Sequence, residues 1–259
     1  MEQINTLITP SILSTPSPPI SVSPFSIRYI ITYTVHTDFK DILLNVLPPF
    51  EKEINEQLRK EYNSFGDDHN KYIFPSITDV FRCFNQFQLD DLRCVIIGQD
   101  PYHTPEVADG LSFSSKNKYK KIPQSLRNIF KEIERCYGVF RKDPDLSDWA
   151  VQGCLMLNMS LTVLKGKPNS HSNIWNRYVK EVLTQIVKRS NGISIMLWGN
   201  YAHSVIDSNL KDVNNDRVLI LKAGHPSPLN RTRPFVGCDH FVSTNKWLKN
   251  SGKDEIVWI

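Results

Sequence analysis

The sequence predicts an α/β fold: a three-layer α-β-α sandwich with a central four-stranded parallel twisted sheet. Three observations lead there. Four short apolar runs recur along the chain, Cys94-Val95-Ile96-Ile97, Leu155-Met156-Leu157, Ile193-Ser194-Ile195-Met196-Leu197 and Val218-Leu219-Ile220-Leu221. Near-continuous apolar runs suit strands buried on both faces of a parallel sheet. Helix-period patterns fill the gaps between them, and strand alternating with helix implies right-handed crossovers with helices on both faces.

The elements follow in order. Residues 1–26 are rich in Ser, Thr and Pro, with Ser14-Thr15-Pro16-Ser17-Pro18-Pro19 at the centre of the bias. Repeated proline removes backbone donors and blocks helix, so a disordered tail is expected there. The segment holds no Lys or Arg, which speaks against a secretory signal and a mitochondrial transit peptide. From about His36 the composition becomes that of a packed domain, and residues 27–259 are expected to form a single catalytic domain. Phe39, Ile42, Leu43, Val46 and Leu47, then Ile54 and Leu58, recur at helical spacing around Pro48-Pro49. They predict two helices with a proline joint. Leu126, Ile129, Phe130 and Ile133 predict a helix over 124–136. Trp175, Tyr178, Val179, Val182, Leu183, Ile186 and Val187 predict another over 174–188.

Composition excludes several classes of protein. The 259 residues carry 40% hydrophobic and 22% charged side chains, enough to bury a core without disulfides or structural metal. No stretch approaches the ~18–20 apolar residues of a membrane helix. The five cysteines, Cys83, Cys94, Cys136, Cys154 and Cys238, are odd in number, widely spaced and without a Cys-x-x-Cys pair. That pattern fits structural thiols in a reducing, intracellular compartment, nucleus or cytoplasm, rather than a disulfide framework or zinc ribbon. Seven histidines lack metal-ligand spacing, so no metal or cofactor is expected. The net charge of +4 is compatible with a polyanionic partner but too small to argue for one.

In doubly wound sheets, ligands bind beyond the carboxyl ends of the strands, so the chemistry should follow each run. After the first comes Gly98-Gln99-Asp100-Pro101-Tyr102-His103. After the second comes Asn158, after the third Trp198-Gly199-Asn200, and after the fourth Gly224-His225-Pro226-Ser227-Pro228-Leu229. Taken singly, Asp-Pro and Gly-His-Pro are turn formers, Asp100 is a cap, and Phe113 is a core ring. The joint placement carries the information.

The first and last of these clusters resemble the water-activating loop and the leucine loop of the uracil-DNA glycosylase family that includes the bacterial and nuclear enzymes. Gly110-Leu111-Ser112-Phe113-Ser114, Lys121-Ile122-Pro123-Gln124-Ser125-Leu126, Trp149-Ala150-x-Gln152-Gly153, Leu157-Asn158 and Leu161-Thr162-Val163 resemble its other signatures in order. The resemblance runs from about residue 38 to the C-terminus. It implies a metal-free monomer that flips uracil out of single- or double-stranded DNA and hydrolyses its N-glycosidic bond. By the same resemblance Asp100 positions the attacking water and His225 donates to uracil O2 as a neutral imidazole. Asn158 reads the base edge, Phe113 stacks on the base, Tyr102 fills the space beside C5 and so rejects thymine, and Gln99 shapes the pocket floor. Ser125, Ser227 and Gly199 match phosphate-contacting positions, through small hydroxyls and bare backbone N–H groups; His103 joins them, and Asn200 stands at another such position in place of Ser. Leu229 matches the wedge that enters the base stack, and Arg231 adds a cation beside the duplex. Implied partners are uracil-containing DNA and, in some large DNA viruses, replication or polymerase accessory proteins. No membrane is implied.

Four positions depart from the family pattern: Asn200 for Ser, Asp109 for His, Gly224 for Ala or Pro, and Pro234 for Gly. None removes a catalytic atom, so activity is expected, with weaker DNA affinity. Asp109 would put a negative charge near the DNA face. A binding module that has lost its chemistry would not need Asp100, Asn158 and His225 together. A broader mismatch glycosylase would carry Asn at position 100 and lack the Tyr102 barrier.

Overall fold

The computed structural model describes residues 26–116, 121–209, 216–228 and 234–259. The expected tail, apart from Ser26, lies outside them. Ser26 caps helix α1 (Ile27–Thr34), its Oγ accepting the Tyr29 N–H. This helix buries Ile27, Ile30 and Ile31 and begins earlier than the change in composition suggests. Pro48-Pro49 separates α2 (Phe39–Val46) from α3 (Pro48–Phe65), as the spacing predicts. Proline opens α3 because a first-turn N–H has no intrahelical partner to lose.

Four parallel strands, β2 (Cys94–Gly98), β3 (Cys154–Asn158), β5 (Ile193–Trp198) and β6 (Val218–Ala223), pair in the order β3-β2-β5-β6. A two-residue antiparallel pair, β1 (Ile73–Phe74) with β4 (Val163–Leu164), stands apart. Strands this short leave no periodicity in the sequence. Helices flank the large sheet: α4 (Gln124–Tyr137), α5 (Ser147–Ala150), α6 (Ser172–Arg189), α7 (Asn200–Asn209) and α8 (His240–Asn250). Helix α8 packs on β5 and β6, α7 on β5, and α6 against α2 and α3.

Strands β2, β3 and β5 are buried throughout, and each Ile, Leu or Met there contributes roughly 1.5–3 kcal/mol. Strand β6 departs from the expectation of burial on both faces. It lies at the sheet edge, and Leu219, Ile220 and Leu221 are only half-buried. At the other edge β3 stays buried, covered by α5 and the turn at residues 82–85.

The connections run outward from β2 to β3 and then back across to β5, so the direction of winding reverses between β2 and β5. This reversal opens a crevice beyond the carboxyl ends of adjacent strands. The register sets Gly98 beside Asn158 and Trp198 beside Ala223 at that end. Away from it, buried Glu132 on α4 ties the helix to the segment before α8. It accepts the Gly237 and Asp239 amides at 2.6 and 2.9 Å and pairs with Arg135 at 2.9 Å.

Candidate active site

The strand ends open on one cleft of about 420 Å³, within the roughly 300–1,000 Å³ of ligand pockets. Asp100, Gln99, Tyr102 and His103 line it from the loop after β2, and Asn158 from the last residue of β3. His225 and Ser227 line it from the loop after β6, Ser125 from the first turn of α4, and Phe113 from the connection between β2 and α4. Gly199 and Asn200 line an adjoining depression of about 180 Å³ that shares Gln99 and His225 with the cleft. Leu229 and Arg231 lie outside the described residues.

Asp100 is held by a backbone donor. The Asn169 N–H reaches its Oδ2 at 2.7 Å, and the Gln99 side-chain amide donates to Asn169 Oδ1. Burial raises the Asp100 carboxyl above its ordinary range, and the Asn169 amide and the nearby His103 partly offset this. Asn169 was not foreseen from the sequence. Its φ of 64° places it in the left-handed region, which Asn tolerates better than most residues. Lys167-Pro168-Asn169-Ser170 carried that signal only as a generic turn.

Asn158 is 6% exposed, and its fit depends on a missing side chain across the sheet. A Cβ on Gly98 would stand 2.2 Å from Asn158 Oδ1 and 2.8 Å from Ser112 Cβ. Glycine at the end of β2 therefore makes the space in which the carboxamide sits.

Phe113 adopts a φ of 63°, a conformation that costs an aromatic residue about 1–2 kcal/mol. Its surroundings hold it there. Tyr102 donates its hydroxyl hydrogen to the Phe113 carbonyl at 3.0 Å, and the Phe113 ring lies 5.2 Å from that of Trp198 and 6.2 Å from that of His225. Asp109 organises the same loop, and here the sequence reading is corrected. Asp109 is not a charge near the DNA face but is fully buried. It pairs with Arg82 at 3.0 Å and accepts the Leu111 amide at 3.0 Å and the Ser114 hydroxyl at 2.7 Å. A histidine could not accept all three, so Asp here serves the loop's architecture.

His225 accepts the Ser227 N–H on Nδ1 at 2.9 Å, which leaves its proton on Nε2 as a donor. Burial lowers its pKa from 6.5, and the Ser227 amide facing Nδ1 also opposes a second proton. The ring is thus a neutral donor. Ser227 has committed its N–H to this bond. Gly199 is corrected as well. Its N–H is not bare but donates to the Ala223 carbonyl at 3.0 Å. At φ 93°, a Cβ there would stand 2.8 Å from His225 Cβ. Gly199 makes room for the histidine.

Among the described residues, the donors clustered closely enough to hold a metal ion are Glu132, Cys136 and Asp239. None of them lines the cleft, and Arg135 already supplies their cation.

The arrangement offers an anion and a neutral donor around a slot with one aromatic wall and one carboxamide. It can stabilise charge separation across a bond from a heterocycle to a sugar. The family model described as Uracil DNA glycosylase superfamily matches residues 84–249. A Campylobacter jejuni protein described as uracil-DNA glycosylase is 40% identical over 228 residues, covering 86% of this chain and 94% of the relative. A Coxiella burnetii protein of the same description is 41% identical over 212 residues, covering 81% and 88%. The crystal structure of mimivirus uracil-DNA glycosylase superposes with a TM-score of 0.74 at 22% identity over 88% of each chain. Wild-type UNG from Nitratifractor salsuginis gives 0.56 at 18% identity, covering 88% of this chain and 94% of that one. At such identities these two structures speak to the fold.

Proposed function

The chain belongs to the uracil-DNA glycosylase superfamily, and from that premise we propose how its cleft removes uracil from DNA. The enzyme hydrolyses the N-glycosidic bond, releasing free uracil and leaving an abasic site for base excision repair. The base enters the cleft extruded from the stack, at a cost of a few kcal/mol. As the C1′–N1 bond lengthens, positive charge builds on the sugar and negative charge on the base. The Asp100 carboxylate faces the sugar cation and orients the attacking water. His225 directs its Nε2–H at uracil O2, where the negative charge accumulates.

Asn158 reads the far edge. Its carboxamide accepts from N3–H and donates to O4, the pattern that cytosine reverses. Phe113 stacks on the ring, worth about 1–3 kcal/mol. Tyr102, held by its bond to the Phe113 carbonyl, leaves no room for a C5 methyl group. The hydroxyls of Ser125 and Ser227 contact phosphate without reading sequence, with His103 and Asn200 beside them, and Leu229 fills the gap left in the stack.

The observation that carries this reading is the meeting of Asp100, His225, Asn158 and Phe113 in one cleft, with the Ser227 N–H on His225 Nδ1. The test is to incubate the protein with a uracil-containing oligonucleotide in EDTA and then cleave with alkali. Strand scission at the uracil position is expected. Intact strands, or scission only when divalent metal is restored, would overturn the proposal.

A further inference from the structure

We infer that Glu61 and His171 are positioning residues, a pair anchored by the fully buried His171 that holds Asn169 where its backbone N–H fixes the Asp100 carboxylate. The inference rests on the role proposed above for Asp100.

The chain of contacts starts inside the protein. His171 is fully buried, and its Nε2 lies 2.6 Å from Glu61 Oε2 on α3. Its Nδ1 lies 2.7 Å from Thr162 Oγ1, which also accepts the Trp175 indole N–H at 2.7 Å. The hydrogen count closes one way: Trp175 N–H to Thr162 oxygen, Thr162 O–H to His171 Nδ1, His171 Nε2–H to the Glu61 carboxylate. Gln57 donates to the other Glu61 oxygen. Every polar atom is used, so the imidazole has one orientation.

Two residues before this fixed ring stands Asn169. Its left-handed backbone aims the N–H at Asp100 Oδ2 at 2.7 Å. Its carbonyl accepts the Ser172 hydroxyl at 2.9 Å and the Ser172 amide at 3.1 Å. Ser170 Oγ accepts the Leu164 amide at 2.8 Å, and the Gly166 N–H donates to the His103 carbonyl at 3.0 Å. The corner is thus tied to β4 and the Asp100 loop at one side and to α3 through the His171–Glu61 hydrogen bond at the other. Burial acts against the Glu61 charge, and the His171 contact, the Gln57 hydrogen bond and the nearby Lys167 together more than offset it. A core staple could have been apolar. A polar pair two residues from the donor to the catalytic carboxylate sets an angle as well as filling space.

The test compares single-turnover kcat, KM for a uracil oligonucleotide, and the carbon-13 carboxyl titration of Asp100, whose charged and titratable neighbours are His103 and Tyr201. Glu61→Ala should lower kcat roughly tenfold or more, because a small misplacement of a reacting group is costly. KM should stay within about twofold, and Asp100 should titrate at higher pH. Glu61→Gln keeps an acceptor for His171 and should recover most of the loss. Should Glu61→Ala fail to fold, Asn169→Val, which strains the left-handed corner, should give the same pattern. Asn169→Gly, which keeps the N–H and fits the φ, should rescue it. Folded Glu61→Ala or Asn169→Val protein with wild-type kcat and an unmoved Asp100 titration would overturn the inference, as would a loss carried entirely by KM. Absence of uracil release by the wild-type protein would instead count against the proposed function, and the Asp100 titration would still test the pair.

Discussion

Burial acts on Asp100 and His225 in opposite directions: it works against the Asp100 charge and favours the neutral His225 ring. Desolvation penalises charge, so it raises the Asp100 carboxyl and lowers the His225 imidazole from 6.5. The working forms are the ionised carboxylate and the neutral ring, and both are lost as pH falls. The single-turnover rate should therefore be level near neutrality and decline on the acid side. One step should come below 6.5, with His225 protonation, and His225→Gln should abolish it while leaving the step due to Asp100. A decline on the basic side of neutrality would contradict this assignment. Asp100→Asn should cut turnover by about a hundredfold or more while binding to uracil-containing DNA stays measurable; unchanged turnover would remove Asp100 from the mechanism. Tyr102→Ala should allow thymine release from a thymine oligonucleotide. Its absence would leave the steric gate without support.

Single positions also decide how elements fit. Gly98 ends β2 against Asn158, and the 2.2 Å approach leaves no space for a methyl group. Gly98→Ala should fold, since the sheet behind it is intact, but should weaken uracil binding by displacing the Asn158 carboxamide; titration with free uracil would measure this, and wild-type affinity would show the strand ends to be more yielding than drawn. On the opposite side of α4, Glu132 gathers two amides and Arg135, and those bonds outweigh its burial and hold its carboxyl near about 2. A depressed carboxyl stabilises the fold above its unfolded value of 4.5, and that contribution is lost as pH falls from there towards about 2. Glu132→Ala leaves the Gly237 and Asp239 amides without their acceptor and Arg135 with Asp239 alone, so a loss of about 3 kcal/mol is expected in denaturant melts at neutral pH. The difference from wild type should shrink below pH 4.5. A loss that is constant with pH would mean that the side chain acts by packing alone.

Across the whole molecule, the sequence revealed what repeats and hid what depends on a single contact. The four strands and the helices over 124–136 and 174–188 were legible because burying a strand or a helix face imposes a period. The turn clusters after each strand were legible because doubly wound sheets collect ligands at that end. Helix α1 was obscured by the Ser/Pro-rich segment beside it, and the half-burial of β6 reflects its edge position, which a run of apolar letters does not encode. Asp109 misled for a related reason: a charge next to a DNA-facing motif gives no sign that Arg82 awaits it inside. Asn169 was hidden because its contribution is a backbone N–H, which every residue except proline offers. The account as a whole turns on Asp100 and His225 attending to the same base. The most direct measurement is a crystal structure of the Asp100→Asn variant bound to a duplex carrying one uracil. It should show the nucleotide extruded, Phe113 against the ring, the Asn158 carboxamide on the N3–O4 edge and His225 Nε2 at O2. A uracil still stacked in the duplex, or seated where residue 100 and His225 cannot both reach it, would contradict the account.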